Sequence, residues 1–282
     1  MKLIADSGAT RTQWRYLSAE HRISQLQSEG MNPWQQDDQQ LRHILDEQVL
    51  PELPARVEEV WFYGSGCLPG PASDRLAQVL QQAFPEAHVS VADDLLAVAR
   101  GLCGTKPGIA CILGTGSNSC DWDGRDIVDR VPALGYILGD EGSASYLGRQ
   151  LLHAWFKRSM PAHIREAFQE QFHPEQSVVL QQVYKEPNAG RYLGSFSPFL
   201  ADHRDDPWAY RLLYDAFISF LEHNVLKYED LQNKAVHFSG AIAQHYGAIL
   251  RQAGQDKGLY IGHITDSPIA GLLLYHQEND LI

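Results

Sequence analysis

Basic side chains are scarce in this sequence: 23 Lys and Arg stand against 35 Asp and Glu, a formal net charge of -12 over 282 residues. That balance repels a polyphosphate backbone, and no basic run offsets it, which argues against a nucleic-acid partner. Long apolar runs are missing too; nothing approaches the ~20 residues of a membrane span. The four cysteines, Cys67, Cys103, Cys111 and Cys120, form no C-x-x-C pair and have no His at zinc-finger spacing. Neither a disulfide framework nor a structural metal is indicated, and buried thiols of a cytoplasmic protein are expected. The twelve histidines are scattered, with no H-x-x-x-H or H-E-x-x-H arrangement, and read as packing or surface residues. Low-complexity linkers are absent. The opening residues read as the first strand of the fold, so no signal peptide is expected.

What is present is a pair of glycine-rich turns. Met1-Lys-Leu-Ile-Ala-Asp6 runs into Ser7-Gly-Ala-Thr10, and Gly108–Leu113 runs into Gly114-Thr-Gly-Ser-Asn118. In each, a short apolar strand feeds a turn where backbone N–H groups can converge on an anion with no side chain in the way. Two phosphate cradles are therefore expected, with Ser7, Gly8 and Thr10 in the first and Gly114, Thr115 and Gly116 in the second. Asp6 ends the first strand, and a carboxylate beside a phosphate needs a cation between them, which makes it a candidate Mg²⁺ ligand. Either turn alone also reads as a plain hairpin.

Hydrophobic periodicity places these turns in an α/β chain. Strands are expected at Leu3–Asp6, Thr12–Leu17 and Ile23–Glu29. A helix follows through Leu41, Ile44, Leu45 and Val49, ended by Pro51 and Pro54. Val57–Tyr63, a helix from about Ala72 to Ala83 and the strand Val89–Val91 complete a βββαβα order. A second βββ start comes at Gly108–Leu113, Cys120–Trp122 and Asp126–Arg130, with Asp123-Gly124 as hairpin turn. Helices then dominate to about Tyr228, including an amphipathic stretch through Trp208, Leu213, Phe217 and Phe220. Strands at Val236–Phe238 and Tyr260–Ile264 follow. The boundary is expected at Lys106-Pro107-Gly108, giving domains 1–107 and 108–282.

Two further strings make the pattern specific: Gly139-Asp-Glu-Gly-Ser143 and Phe238-Ser-Gly-Ala-Ile-Ala243, in this order after the two turns. With them the sequence resembles the sugar kinases of the actin/Hsp70/hexokinase-like ATPases. The likeness is greatest to the N-acetylglucosamine kinases grouped with the BadF/BadG/BcrA/BcrD ATPases, and it spans Asp6 to Gly271. The resemblance implies two actin-like, ribonuclease H-like domains with an interdomain nucleotide and sugar cleft. It implies ATP and Mg²⁺ as cofactors and an amino sugar as substrate.

Site residues follow from the same match. Asp94, in Val89-Ser-Val-Ala-Asp-Asp-Leu95, corresponds to the catalytic aspartate that accepts the sugar hydroxyl proton. Its neighbour Asp93 is the residue it could be confused with, and either could instead cap the following helix. Asp140 corresponds to a sugar-hydroxyl ligand, with Glu141 orienting the loop or capping its helix. Asn32 of Gly30-Met-Asn-Pro-Trp34, together with Ser65 and Gly66, corresponds to sugar and acetamido contacts. Gly240 and Ala241 correspond to the adenosine turn. Asn118, one residue past the second phosphate turn, can face the sugar.

The implied activity is ATP-dependent phosphorylation of N-acetylglucosamine at the 6-hydroxyl, with other amino sugars as alternatives. A homodimer is compatible with it. An ATPase that activates a partner reductase needs cysteines for a shared iron–sulfur cluster, and none of the four sits in such a motif. A repressor needs an N-terminal helix-turn-helix where this chain has a strand, and a filament needs no sugar pocket.

Overall fold

The computed structural model describes residues 1–8, 10–17, 23–54 and 56–278. Ten strands pair into two five-stranded sheets. The first holds β1 (Lys2–Ser7), β2 (Arg11–Leu17), β3 (Ile23–Glu29), β4 (Glu59–Gly64) and β5 (His88–Asp93), in the order β3-β2-β1-β4-β5. The second holds β6 (Gly108–Leu113), β7 (Ser117–Trp122), β8 (Ile127–Asp129), β9 (Ala235–Ser239) and β10 (Ile261–Thr265), in the order β10-β9-β6-β7-β8. Numbered from its own first strand, each sheet has one order: antiparallel meander on one side, two parallel strands on the other. The topological duplication expected from the sequence is therefore present in full.

The residues fall into two compact units, Met1–Thr105 with Ser267–Ile282, and Lys106–Asp266. The expected cut at 107/108 lies two residues beyond this division, and the expectation that the second domain runs to 282 needs correcting. The reason is apolar burial. Ile269, Leu272 and Leu273 of the last helix (Ile269–Glu278) pack with Ile4, Tyr63 and Ala97 in the first unit. The other face of that sheet buries Leu3, Ala5, Trp14, Val60, Phe62, Leu76 and Leu80. Alternate residues of β1 thus feed two cores, as a strand covered on both faces requires.

Close backbone approach locks the last helix in place. A Cβ on Gly271 would fall on the carbonyl oxygen of Gly101, and one on Gly101 would lie 2.7 Å from the Pro268 oxygen. Polar contacts add to it: the Tyr63 hydroxyl lies 2.8 Å from His276 Nε2 and accepts from Arg100 at 2.7 Å. In the second unit one core runs from Ile109 and Leu113 through Leu147, Leu151, Leu213, Phe217 and Phe220 to Phe238 and Leu250. There a Cβ on Gly148 would fall on the Leu193 oxygen. All four cysteines are free and buried, as expected. Among the described residues no helix is long and apolar enough to cross a membrane.

Gly271→Ala forces apart two helices that meet backbone to backbone, an overpacking expected to cost about 1–3 kcal/mol. Thermal melting should show this loss, while alanine at Gly258, where a Cβ meets nothing within 4 Å but φ is +71°, reports only the backbone strain.

Candidate active site

In the first unit the site is built from strand ends. Asp6 lies near the end of β1, and its Oδ2 accepts a hydrogen bond from Ser267 Oγ at 2.6 Å. Asp93 closes β5 and caps the helix Asp94–Val98, its Oδ1 accepting from the Leu96 N–H at 2.9 Å. The capping role foreseen for one of the two aspartates therefore falls to Asp93, which leaves Asp94 in the first helical position. Asp94 is pushed up from 3.8 to about 7, first by burial and then by the Asp93 and Asp6 carboxylates. Backbone N–H groups oppose the shift only in part. Burial first, and then the Asp94 and Asp93 carboxylates, push the Cys67 thiol up to about 12, so that thiol is inert.

Three of the expected sugar contacts come together in this unit. Asn32 Oδ1 accepts from the Trp34 N–H at 2.9 Å, and Trp34 Nε1 donates to the Gly66 oxygen at 2.9 Å. A Cβ on Gly66, whose φ is +80°, would lie 3.1 Å from Asn32 Oδ1 and 2.7 Å from Trp34 Cδ1. Arg75 holds this loop from below through the oxygens of Pro33 and Gln36 and the Asp38 carboxylate. Trp34 is 74% exposed although its indole is fixed at the nitrogen. Sequence reasoning noticed it only as a neighbour of Asn32. Ser65 stands beside Gly66, with its N–H donated to the Ser7 oxygen at 3.1 Å.

The first turn departs from expectation. Ser7 is buried, and its hydroxyl is spent on Thr12 Oγ1 (2.8 Å) and the backbone of Met31. Its side chain belongs to the sheet and is withdrawn from any anion. The Gly8 N–H is likewise used, donated to the Arg11 oxygen at 3.0 Å. Thr10 is exposed at the turn, while Ala9 lies outside the described residues.

In the second unit β6 and β7 are joined by Gly114-Thr115-Gly116. The Gly114 N–H closes this turn on the Gly116 oxygen at 3.0 Å, so the N–H groups left to meet an anion are those of Thr115 and Gly116. The oxygens of Gly114 and Thr115 accept from Ala144 and Ser145 at the start of the helix Ala144–Phe156. Ser143 caps that helix by accepting from the Tyr146 N–H at 3.2 Å. Glu141 is therefore no cap; it pairs with His223 at 3.5 Å.

Asp140 is half-buried with φ at 56°, a left-handed conformation unusual for a non-glycine residue. Its Oδ1 accepts from the Ser117 N–H at 3.2 Å. Burial raises its pKa, the Ser117 N–H opposes that, and Glu141 adds to it. A Cβ on Gly116 would lie 3.1 Å from Asp140 Oδ2. Thus the turn expected to bind phosphate and the carboxylate expected to bind sugar share one wall. Asn118 Oδ1 takes the Ser119 N–H at 2.9 Å, leaving its NH₂ as the group it can offer a hydroxyl.

Gly240 caps the helix Ala241–His245 with φ at 120°. A Cβ there would fall on the Leu113 oxygen and 3.1 Å from the Gly114 nitrogen. The glycine is thus required by contact with the Gly114-Thr115-Gly116 turn, independently of any ligand. Ala241 beside it is exposed.

No protein-family model and no curated protein matches the chain. A solved structure from Porphyromonas gingivalis, of a protein provisionally named N-acetylglucosamine kinase, matches with TM-score 0.93 at 40% identity, over 99% of this chain and 100% of that one. One from Chromobacterium violaceum with the same provisional name matches at TM-score 0.72 and 20% identity, over 97% of this chain and 98% of that one. A glucokinase of the ROK family from Streptomyces griseus, solved with glucose and AMPPNP, matches at TM-score 0.56 and 15% identity, over 97% of each chain. The two distant likenesses show the fold alone, the actin-like one of two α/β units. The first shows more: the chain belongs to the sugar-kinase family of the Porphyromonas gingivalis protein. The grouping with BadF-type ATPases expected from the sequence is reached by none of these matches.

The raised pKa of Asp94 carries a cost in stability. Unfolded, the carboxyl titrates near 3.8; folded, near 7, so the stability present below the first value is lost as pH rises through the second. Asp94→Asn removes that loss. Its melting temperature should exceed wild type by several degrees at about pH 8 and by less at about pH 5, as scanning calorimetry at the two pH values would show.

Proposed function

We propose that the protein is an ATP-dependent kinase that phosphorylates an amino sugar, N-acetylglucosamine at its 6-hydroxyl before others. The observation that carries this reading is Asp94, a carboxylate held near neutrality by burial and by Asp93 and Asp6. A general base works best with a pKa close to the working pH, and an isolated surface aspartate is too weak for the task. Family membership at 40% identity with the Porphyromonas gingivalis protein supports the substrate class.

The residues divide the work. Thr115 and Gly116 would bind phosphate oxygens through backbone N–H groups, with Thr10 at the first turn. Gly240 and Ala241 would lie against the nucleoside. Asn32, Ser65, Gly66, Asn118 and Asp140 would hold the sugar, with the Trp34 indole as an apolar wall for the acetamido methyl. Asp94 would accept the proton of the hydroxyl attacking the γ-phosphorus, while the bond to the ADP oxygen breaks in line.

Mg²⁺ fits the first unit. Asp6, Asp93 and Asp94 gather negative charge, and no cationic side chain is among the groups acting on Asp94. No cluster of three or more His, Cys, Asp or Glu among the described residues could hold a metal by itself. Mg²⁺ needs no such cage; it keeps its waters and takes one or two carboxylates with substrate phosphates, a role open to Asp6. When bound it neutralises charge on the transferring phosphate. Four free thiols suit the cytoplasm, where ATP is at hand.

Production of ADP from ATP across a panel of amino sugars tests this reading, with N-acetylglucosamine expected to give the highest kcat/KM. Asp94→Asn should lower turnover at least ~10²-fold with nucleotide affinity nearly intact. Equal turnover in that variant, or ADP release indifferent to sugar, would refute the assignment. Asn118→Ala should weaken the sugar by about 1–3 kcal/mol and leave nucleotide binding unchanged. Gly116→Ala, by contrast, should weaken both ligands, because the new methyl crowds Asp140 as well as the phosphate site.

A further inference from the structure

The segment that returns to the first unit does more than fill a core, because its first residue reaches Asp6. Ser267 Oγ lies 2.6 Å from Asp6 Oδ2, a charge-assisted length, across 261 positions of sequence. A hydroxyl has one proton, and here the carboxylate takes it. The oxygen in turn accepts the Ile269 N–H at 3.3 Å, so the donor is aimed from behind by the first turn of the last helix. Pro268 follows with φ restricted by its ring.

The helix carrying this hydroxyl is itself immobilised. Ile269, Leu272 and Leu273 are buried, Gly271 meets the Gly101 carbonyl, and His276 meets the Tyr63 hydroxyl. A carboxylate on a strand end has two side-chain torsions to fix. A rigid donor on one oxygen restrains both before any ligand arrives.

We infer that Ser267 is a positioning residue: it orients the Asp6 carboxylate for the Mg²⁺ that accompanies the nucleotide. The inference rests on the kinase reading for the identity of that cation, and it touches no reacting atom. Partners that orient a metal-binding carboxylate characteristically contribute 10- to 100-fold to metal affinity, and about tenfold is expected for this single neutral donor.

The test is calorimetric titration of the full chain with ADP, in excess Mg²⁺ and again in EDTA. Wild type should bind ADP more tightly with Mg²⁺. In Ser267→Ala that gain should shrink about tenfold, with affinity in EDTA unchanged within about twofold and a cooperative melt retained. Ser267→Thr, which keeps the hydroxyl, should restore the gain; Ser267→Cys, a weak donor of similar size, should behave as alanine does.

A gain unchanged in Ser267→Ala would overturn the inference. So would an equal loss in EDTA, failure of threonine to rescue, or ADP binding in wild type that ignores Mg²⁺. If Ser267→Ala does not fold, the contrast between threonine and cysteine decides. A protein that shows this metal pattern yet phosphorylates no sugar would sink the kinase reading and leave the role of Ser267 standing.

Discussion

Three carboxylates of the first unit, two at strand ends and one at the start of a helix, set the terms for everything else. Asp6, Asp93 and Asp94 are close enough that the charges of the first two, with burial, move Asp94 to about 7. A structure optimised for stability alone would separate them or supply a cation. Here one carboxylate is satisfied by a helix it caps and another by a serine hydroxyl. The third is left to bear the strain, and strain of this kind collects where chemistry is done.

Backbone-on-backbone contact is the means by which the rest of the fold holds these groups still. Gly101 against Gly271, Gly148 against Leu193 and Gly240 against Leu113 are each places where a methyl group would collide with a carbonyl. Two of the three bear on the site. The Gly101 contact seats the helix that begins just after Ser267, and the Gly240 contact seats the turn that carries Thr115 and Gly116. The same glycine can thus satisfy packing and ligand at once, so its presence in a motif does not by itself distinguish the two.

Local features of the sequence were read well because their causes are local. The strand–turn–strand starts at Asp6 and Leu113 follow from apolar runs ending in Gly, Ser and Thr, and both sheets form as expected. Of the two adjacent aspartates, Asp93 is the one that caps the helix, a role the sequence leaves open to either. What escaped depends on side-chain partners that an apolar or turn pattern does not specify, several of them far along the chain. Nothing near Ser7 announces that Thr12 and Met31 will take its hydroxyl, and nothing near Gly116 announces that Asp140 lies behind it. Likewise no element is expected from the sequence after Tyr260–Ile264, and the helix Ile269–Glu278 that covers Ile4 and Tyr63 lies far along the chain from either. Trp34 is the one feature whose signal was in plain view, a large aromatic in a polar loop.

The charge state of Asp94 decides whether it can act as a base, and nuclear magnetic resonance titration of its carboxyl carbon measures that state directly. In the free protein the midpoint should lie near 7, and it should fall in Asp6→Asn, where one neighbouring charge is gone. A midpoint near the ordinary 3.8, unmoved by Asp6→Asn, would contradict the claim that these carboxylates hold one another's protons and that Asp94 is thereby made a base.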